Sequence, residues 1–186
     1  MKQQKDRPGN VVYREVSFEF FGFLSWLPVV VAACAVTEGP IIELGGGFGS
    51  SLALHGACGE TKREILTLEN DKTWVSYLQI YGRKWHKFRH VPSFIDLPEY
   101  TERDWGLALV DHGILGERGP ALKSLSHVPV IIAHDTCHEA LNYTNDGLPQ
   151  VLDSFKYRYD HFWMKPKTSV FSNSVDVKKL FEGMEL

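Results

Sequence analysis

The sequence predicts an α/β protein: an open, mostly parallel sheet with helices on both faces, closed by a C-terminal antiparallel β-hairpin. Three observations carry that expectation. Short apolar runs with no polar face, such as Ile41 to Leu44 and "LALV" at 107 to 110, read as strands buried on both sides. They alternate with helix-like segments, the pattern of parallel crossover connections. The last two strand-like stretches are separated only by Asp160 to Lys167, too short for a crossover, so they should pair antiparallel.

The elements follow in chain order. "FEFFGFLSWLPVVVAACAV" (Phe18 to Val36) is apolar enough to suggest a signal peptide or a membrane span. Glu15 and Glu19 lie where a signal peptide would be basic, Pro28 interrupts the run, and a span needs about 20 apolar residues. We therefore expect buried helix ahead of the first strand, with Pro28 at a helix start or kink. Glu38-Gly39-Pro40 marks a turn before the first strand, Ile41 to Leu44. Phe48 to Ala57 follows as a helix. "EILTLEN" (64 to 70) is a second strand ending in an acid. "DKTWVSYLQIYG" places Trp74, Tyr77, Leu78 and Tyr81 at i, i+3, i+4 and i+7, an amphipathic helix stopped by Gly82. "KFRHV" is a third strand, "WGLALVDH" a fourth, "GPALKSLSH" a short helix and "VPVIIAHD" a fifth strand. Phe155 to Tyr159 and Thr168 to Ser172 form the hairpin, and a helix from Val175 to about Gly183 ends the chain. This is one domain: an N-terminal helical segment over 1–38, a core over 39–174 and a closing helix in 175–186.

Composition narrows the function classes. A chain of 186 residues with 44% hydrophobic residues can bury a core without disulfide or metal staples. A net charge of -3 with no basic run gives no electrostatic reason to expect nucleic acid. Cys34, Cys58 and Cys137 are too few and too scattered for a disulfide framework, and read as reduced cytoplasmic thiols. The expected partner is a small molecule or carbohydrate, with neither nucleic acid nor membrane.

In an open parallel sheet, ligands bind beyond the carboxyl ends of the strands. Those ends carry Gly45 to Gly49 after the first strand, Glu69 after the second, Asp111-His112 after the fourth and His134-Asp135 after the fifth. Singly, each has a packing explanation; together they describe a polar crevice. The glycines are not a P-loop, because no GK[ST] follows them, and their rhythm at 45, 47 and 49 differs from the dinucleotide fingerprint. Glu69 follows Gly45 by 24 positions, near the spacing of an acid that accepts both hydroxyls of a ribose.

At this point the residues resemble a family. "ELGGGFGSS" resembles the first motif of class I S-adenosylmethionine-dependent methyltransferases, "LTLEND" their second, and "LALVDH" their fourth-strand motif. The closing hairpin matches the last strands of their Rossmann-like sheet. More narrowly, "VDHGILGERG", "AHDT", "YRYD" and "VFSN" resemble a group of small methyltransferase-like proteins with DH…GER and HDT blocks. The resemblance implies that Glu43 orients the glycine loop and the methionine ammonium. It implies that Gly45, Gly46, Gly47 and Gly49 let backbone approach the cofactor, and that Glu69 binds the ribose. Asn70 and Asp71 would lie near the adenine, flanked by Ser93 or Phe94, and Asp111 would face the amino-acid end.

For chemistry, methyl transfer to a hydroxyl needs an in-line nucleophile and a base. Asp111, His112, His134 and Asp135 are the catalytic candidates, expected to share one crevice. Three roles stay open for them: general base, ligands of a divalent metal held by Asp111 and Asp135, or plain structure with His134 in the core and Asp135 capping a helix. Glu117 and Arg118 either pair with each other, or Arg118 anchors an anionic substrate. The expected activity is O-methylation of a small polar molecule or sugar. The alternatives are a non-catalytic S-adenosylmethionine-binding module and another adenosine-cofactor enzyme, an aminopropyl transferase or a dehydrogenase.

Overall fold

The computed structural model of the protein describes residues 25–136, 147–161 and 166–182. Its centre is a seven-stranded sheet: β1 (Ile41–Leu44), β2 (Ile65–Glu69), β3 (His86–His90), β4 (Leu107–Val110), β5 (Val130–Ala133), β6 (Tyr157–His161) and β7 (Thr168–Ser172). The spatial order is β3-β2-β1-β4-β5-β7-β6. The first five strands pair in parallel, and β7 runs antiparallel between β5 and β6. The expected open parallel sheet with its closing hairpin is therefore what forms.

Alternation along the strands divides the core in two. Ile41, Ile65, Leu107, Leu109 and Ile132 face one way, against α1 (Leu27–Val36) and α2 (Ser50–Ala57). Ile42, Leu44, Leu68, Val110 and Ile131 face the other, against Leu122 of α4 (Leu115–Ser124) and Leu148 and Leu152 of α5 (Leu148–Ser154). Burial on both faces is why these strands are apolar throughout rather than alternating. α1 carries Pro28 in its first turn, where a missing N–H costs nothing, and buries Val29, Val30, Ala32 and Ala33. Residues 18–24 of the expected helical stretch lie outside the described residues, as does Cys137. No helix among the described residues is long and apolar enough to cross a membrane.

Several details depart from the sequence reading. α3 (Lys72–Leu78), capped by Asp71, buries Val75 and Leu78, while Trp74 and Tyr77 are exposed. Their rings instead gather around Phe48 of the glycine loop, with centroids 5.2 and 6.4 Å away. The helix is too short for a four-residue apolar stripe to reach the core, and it tightens into a 3-10 turn at Gln79–Tyr81. α4 begins at Leu115, ahead of the expected Gly-Pro start, and carries Pro120 inside it. β6 is displaced two residues toward the carboxyl end, which preserves the faces. α5 has no apolar period to announce it; it starts at Gly147, whose φ of 69° is left-handed, and has Pro149 in its first turn. The closing helix α6 is a single turn, Val177–Leu180, begun by the Asp176 cap.

Candidate functional site

The strand order reverses between β1 and β4, so the loops leaving these two strands diverge and open a crevice at their carboxyl ends. Gly45 makes the gap possible. Its φ is +92°, and a Cβ there would stand 2.5 Å from the Cα and N of His112. Only glycine lets the two loops pass so closely. Gly46 is similarly confined, by the Thr67 Cγ2 at 2.7 Å. Gly47 is the exception, since a Cβ there would meet nothing within 4 Å.

Two acids hold the loop from below. Glu43, fully buried in β1, accepts from Ser51 Oγ at 2.7 Å and from Thr67 Oγ1 at 2.6 Å, both on Oε2. Ser51 Oγ in turn accepts from Gly47 N at 3.1 Å, so the acid fixes the loop through a serine. Burial pushes the Glu43 carboxyl up from 4.5 to about 7, against the lowering effect of hydrogen bonds from Ser50, Thr67 and Ser51. Glu69, at the end of β2, accepts from Gly46 N at 2.9 Å on Oε2 and from Asp71 N at 2.7 Å on Oε1. Asn70 follows it, and its carbonyl meets His90 Nε2 at 3.1 Å.

The ends of β4 and β5 build the other wall. Asp111 Oδ1 lies 3.0 Å from His134 Nδ1, and His134 Nε2 lies 2.9 Å from Ser25 Oγ. Asp135 turns back at a left-handed φ of 54°, which brings its Oδ1 within 3.5 Å of His134 Nδ1. Three of the four expected residues thus share one place: Asp111, His134 and Asp135 each offer a ligand atom within 4.8 Å of the others. His112 lies outside this cluster. Its ring stacks on Phe94 at 4.1 Å and hydrogen-bonds no side chain among the described residues. Burial, then the Arg118 charge, lowers it from 6.5 to about 3, so it is neutral and a poor base. The stack also leaves Phe94 fully buried, with no open face for an adenine.

Arg118 and Glu117 behave differently from either expectation. Arg118 is buried beneath the strand ends, donating from Nε to His112 O at 2.7 Å and from Nη1 to His134 O at 2.9 Å. Its Nη2 lies 3.7 Å from both Asp111 Oδ1 and Asp135 Oδ2. Glu117 accepts from Ser93 Oγ at 2.9 Å and from Phe94 N at 2.6 Å, pinning the loop after β3. By count, one histidine and two carboxylates suit a divalent cation. A metal there would stand against a buried guanidinium that already balances both acids, so the donor set does not fit one. Ser25, Ser51, Thr67 and the Arg118 clamp escaped the sequence reading. Small hydroxyls and a helical arginine carry no local pattern that marks them.

No protein-family model matches the chain, and no curated protein matches it in sequence. Solved structures match it in fold. The S-adenosylhomocysteine-bound methyltransferase PaMTH1 of Podospora anserina superposes with a TM-score of 0.56 at 16% identity, over 92% of this chain and 99% of that one. A TehB-like S-adenosylmethionine-dependent methyltransferase of Corynebacterium glutamicum gives 0.56 at 12% identity, over 87% and 94%. A spermidine synthase in complex with the transition-state analogue AdoDATO gives 0.59 at 13% identity, over 87% of this chain. The chain spans 62% of that synthase, and 47% of a methyltransferase domain from the citrinin polyketide synthase. These likenesses show the fold alone, one shared by these methyltransferases and by a spermidine synthase.

Proposed function

We propose that the protein binds S-adenosylmethionine in the crevice between the glycine loop and the β4 end, and methylates a hydroxyl of a small polar molecule or sugar. The observation that carries this reading is the clasp between Glu69 and the glycine loop. Each Glu69 oxygen accepts one backbone N–H and keeps a further lone pair, so the carboxylate is held in place yet still able to receive two ribose hydroxyls. Gly47, with open space where a side chain would stand, supports a close backbone approach beside it. Bound there, S-adenosylmethionine would supply an activated methyl group on sulfur.

The chain's own contribution is positioning and a proton acceptor. Asp111 is partly exposed, and its Oδ1 is engaged by His134 and faced by Arg118. In this reading its Oδ2 orients the acceptor hydroxyl and takes its proton as the methyl group arrives. His134 fixes the angle of that carboxylate rather than acting as the base, since Ser25 occupies its other nitrogen. Arg118 offsets the paired charges of Asp111 and Asp135.

Calorimetry with S-adenosylhomocysteine tests the cofactor. Binding is expected in the intact chain, Glu69→Ala should weaken it by about 1 to 3 kcal/mol, and a nicotinamide dinucleotide should give no heat. Asp111→Asn should lose methyl transfer from labelled S-adenosylmethionine to hydroxyl acceptors while the chain stays folded. An absence of S-adenosylhomocysteine binding would sink the reading, and binding of the dinucleotide in its place would point to a dehydrogenase.

A further inference from the structure

Behind the glycine loop a line of hydrogen bonds runs from a fully buried acid toward the protein surface. It starts at Glu43 Oε2, 2.6 Å from Thr67 Oγ1. Thr67 Oγ1 is 3.0 Å from His86 Nε2, and His86 Nδ1 is 3.1 Å from His55 Nδ1. Glu43, Thr67 and His86 are fully buried, whereas His55, on α2, is only half-buried and packs on Trp85. Nothing in the fold requires a glutamate, a threonine and two histidines to line up beside a largely apolar core.

We propose that Thr67, His86 and His55 form a proton wire joining the buried carboxyl of Glu43 to solvent, so that this acid exchanges its proton without the core opening. The chemistry of the bonds permits two complete arrangements. With Glu43 ionised, the Thr67 hydroxyl donates to Glu43, His86 Nε2–H donates to Thr67, and His55 Nδ1–H donates to His86 Nδ1. With Glu43 protonated, every donor reverses: Glu43 donates to Thr67, Thr67 to His86 Nε2, and His86 Nδ1–H to His55 Nδ1, with a proton now on His55 Nε2. Passing between the two takes one proton in at His55 Nε2 and delivers one to Glu43. No bond of the chain is lost, and both rings are neutral at start and finish. A neutral wire matches the setting: burial holds both rings below their usual range, helped for His55 by Arg83 and Lys62 and for His86 by His55.

Glu43 has reason to change its proton. Among the described residues it is faced by Ser50 and Ser51 from α2, Thr67 from β2, Asp111 just after β4 and Cys34 from α1, and by no cation. A cationic ligand in the crevice would favour the ionised form, which is the stronger acceptor for Ser51, the residue that holds Gly47. This last link rests on the proposed cofactor reading; the wire does not. Thr67, His86 and His55 act through Glu43 and are positioning residues.

Histidine side-chain nitrogen NMR on the full, ligand-free chain, titrated through neutrality, tests the wire directly. His86 should remain neutral while its proton moves from Nδ1 to Nε2 as pH rises, with His55 switching in step. Thr67→Val keeps the shape of the side chain and removes its hydroxyl, and should leave His86 in one tautomer throughout. Glu43→Gln, which cannot titrate, should do the same and serves if the valine variant fails to fold. A His86 tautomer that stays fixed in the native chain, or a switch that survives either substitution, overturns the wire. A failure to bind S-adenosylhomocysteine would overturn the cofactor reading alone.

Discussion

Gly45 and Gly47 stand two residues apart in one loop and answer to different demands. Gly45 is set by the protein itself, since its backbone is left-handed and the His112 backbone occupies the space of a Cβ. Gly45→Ala should cost at least about 1 to 3 kcal/mol from conformation alone, read as a lowered melting temperature. Gly47 meets no such obstacle. Gly47→Ala should keep stability within about 0.5 kcal/mol and still weaken S-adenosylhomocysteine binding in calorimetry. Unchanged binding would mean that no ligand passes close to that backbone. The sequence already displayed the residues of this site that end strands, because a glycine or an acid after an apolar run stands out. It could not display which of two neighbouring polar residues enters the crevice. Asp111 does and His112 does not, and the choice depends on Phe94, which is distant in sequence and takes the imidazole face.

At the level of elements, β4 and β5 are tied by more than their ladder. Arg118 reaches from α4 to carbonyls just past the ends of both strands and stands between their acids. Replacing it with methionine should keep much of its packing volume while leaving two carbonyls and two carboxylates without their cation. A loss of about 3 to 5 kcal/mol is the range for removing one partner of a buried charge set, and urea denaturation would measure it. A loss near zero would show that water reaches this place in the native state. The strands themselves were legible because burial on both faces forces unbroken apolar runs. The helices were less so. α3 hides its buried face behind surface aromatics, α5 has too few apolar residues to show a period, and Pro120 conceals the true start of α4.

Over the whole molecule, protonation gives the fold a preferred pH range. His86 and His112 are both held at about 3 against the usual 6.5, so unfolding takes up protons at each below pH 6.5. Glu43, held at about 7 against 4.5, works in the other direction, and unfolding releases its proton above pH 4.5. His55 and His161 are lowered by burial as well, so the histidines outnumber the one raised acid and the unfolded chain binds at least about one proton more between these limits. Stability should then rise with pH across this window, by about 1.4 kcal/mol per unit or more, and the Glu43 contribution should fade as pH passes 7. Urea midpoints that fall from pH 5 to pH 6 would contradict the assignment. The architecture was readable from alternation and loop length alone. The electrostatics were not, because they arise where residues far apart in the chain become neighbours.

Glu43 has one more effect, on how the strands find their alignment. Aliphatic strands buried on both faces slide past one another at little cost, since leucine and isoleucine substitute for each other. β1 and β2 are paired so that Glu43 stands beside Thr67, with Ser51 closing over it from α2. A slip of one residue would carry the carboxyl to the opposite face, among Ile42, Leu44 and Leu68, where no hydroxyl waits. The acid therefore acts as a key that fits a single register, and it ties that register to α2 through Ser51.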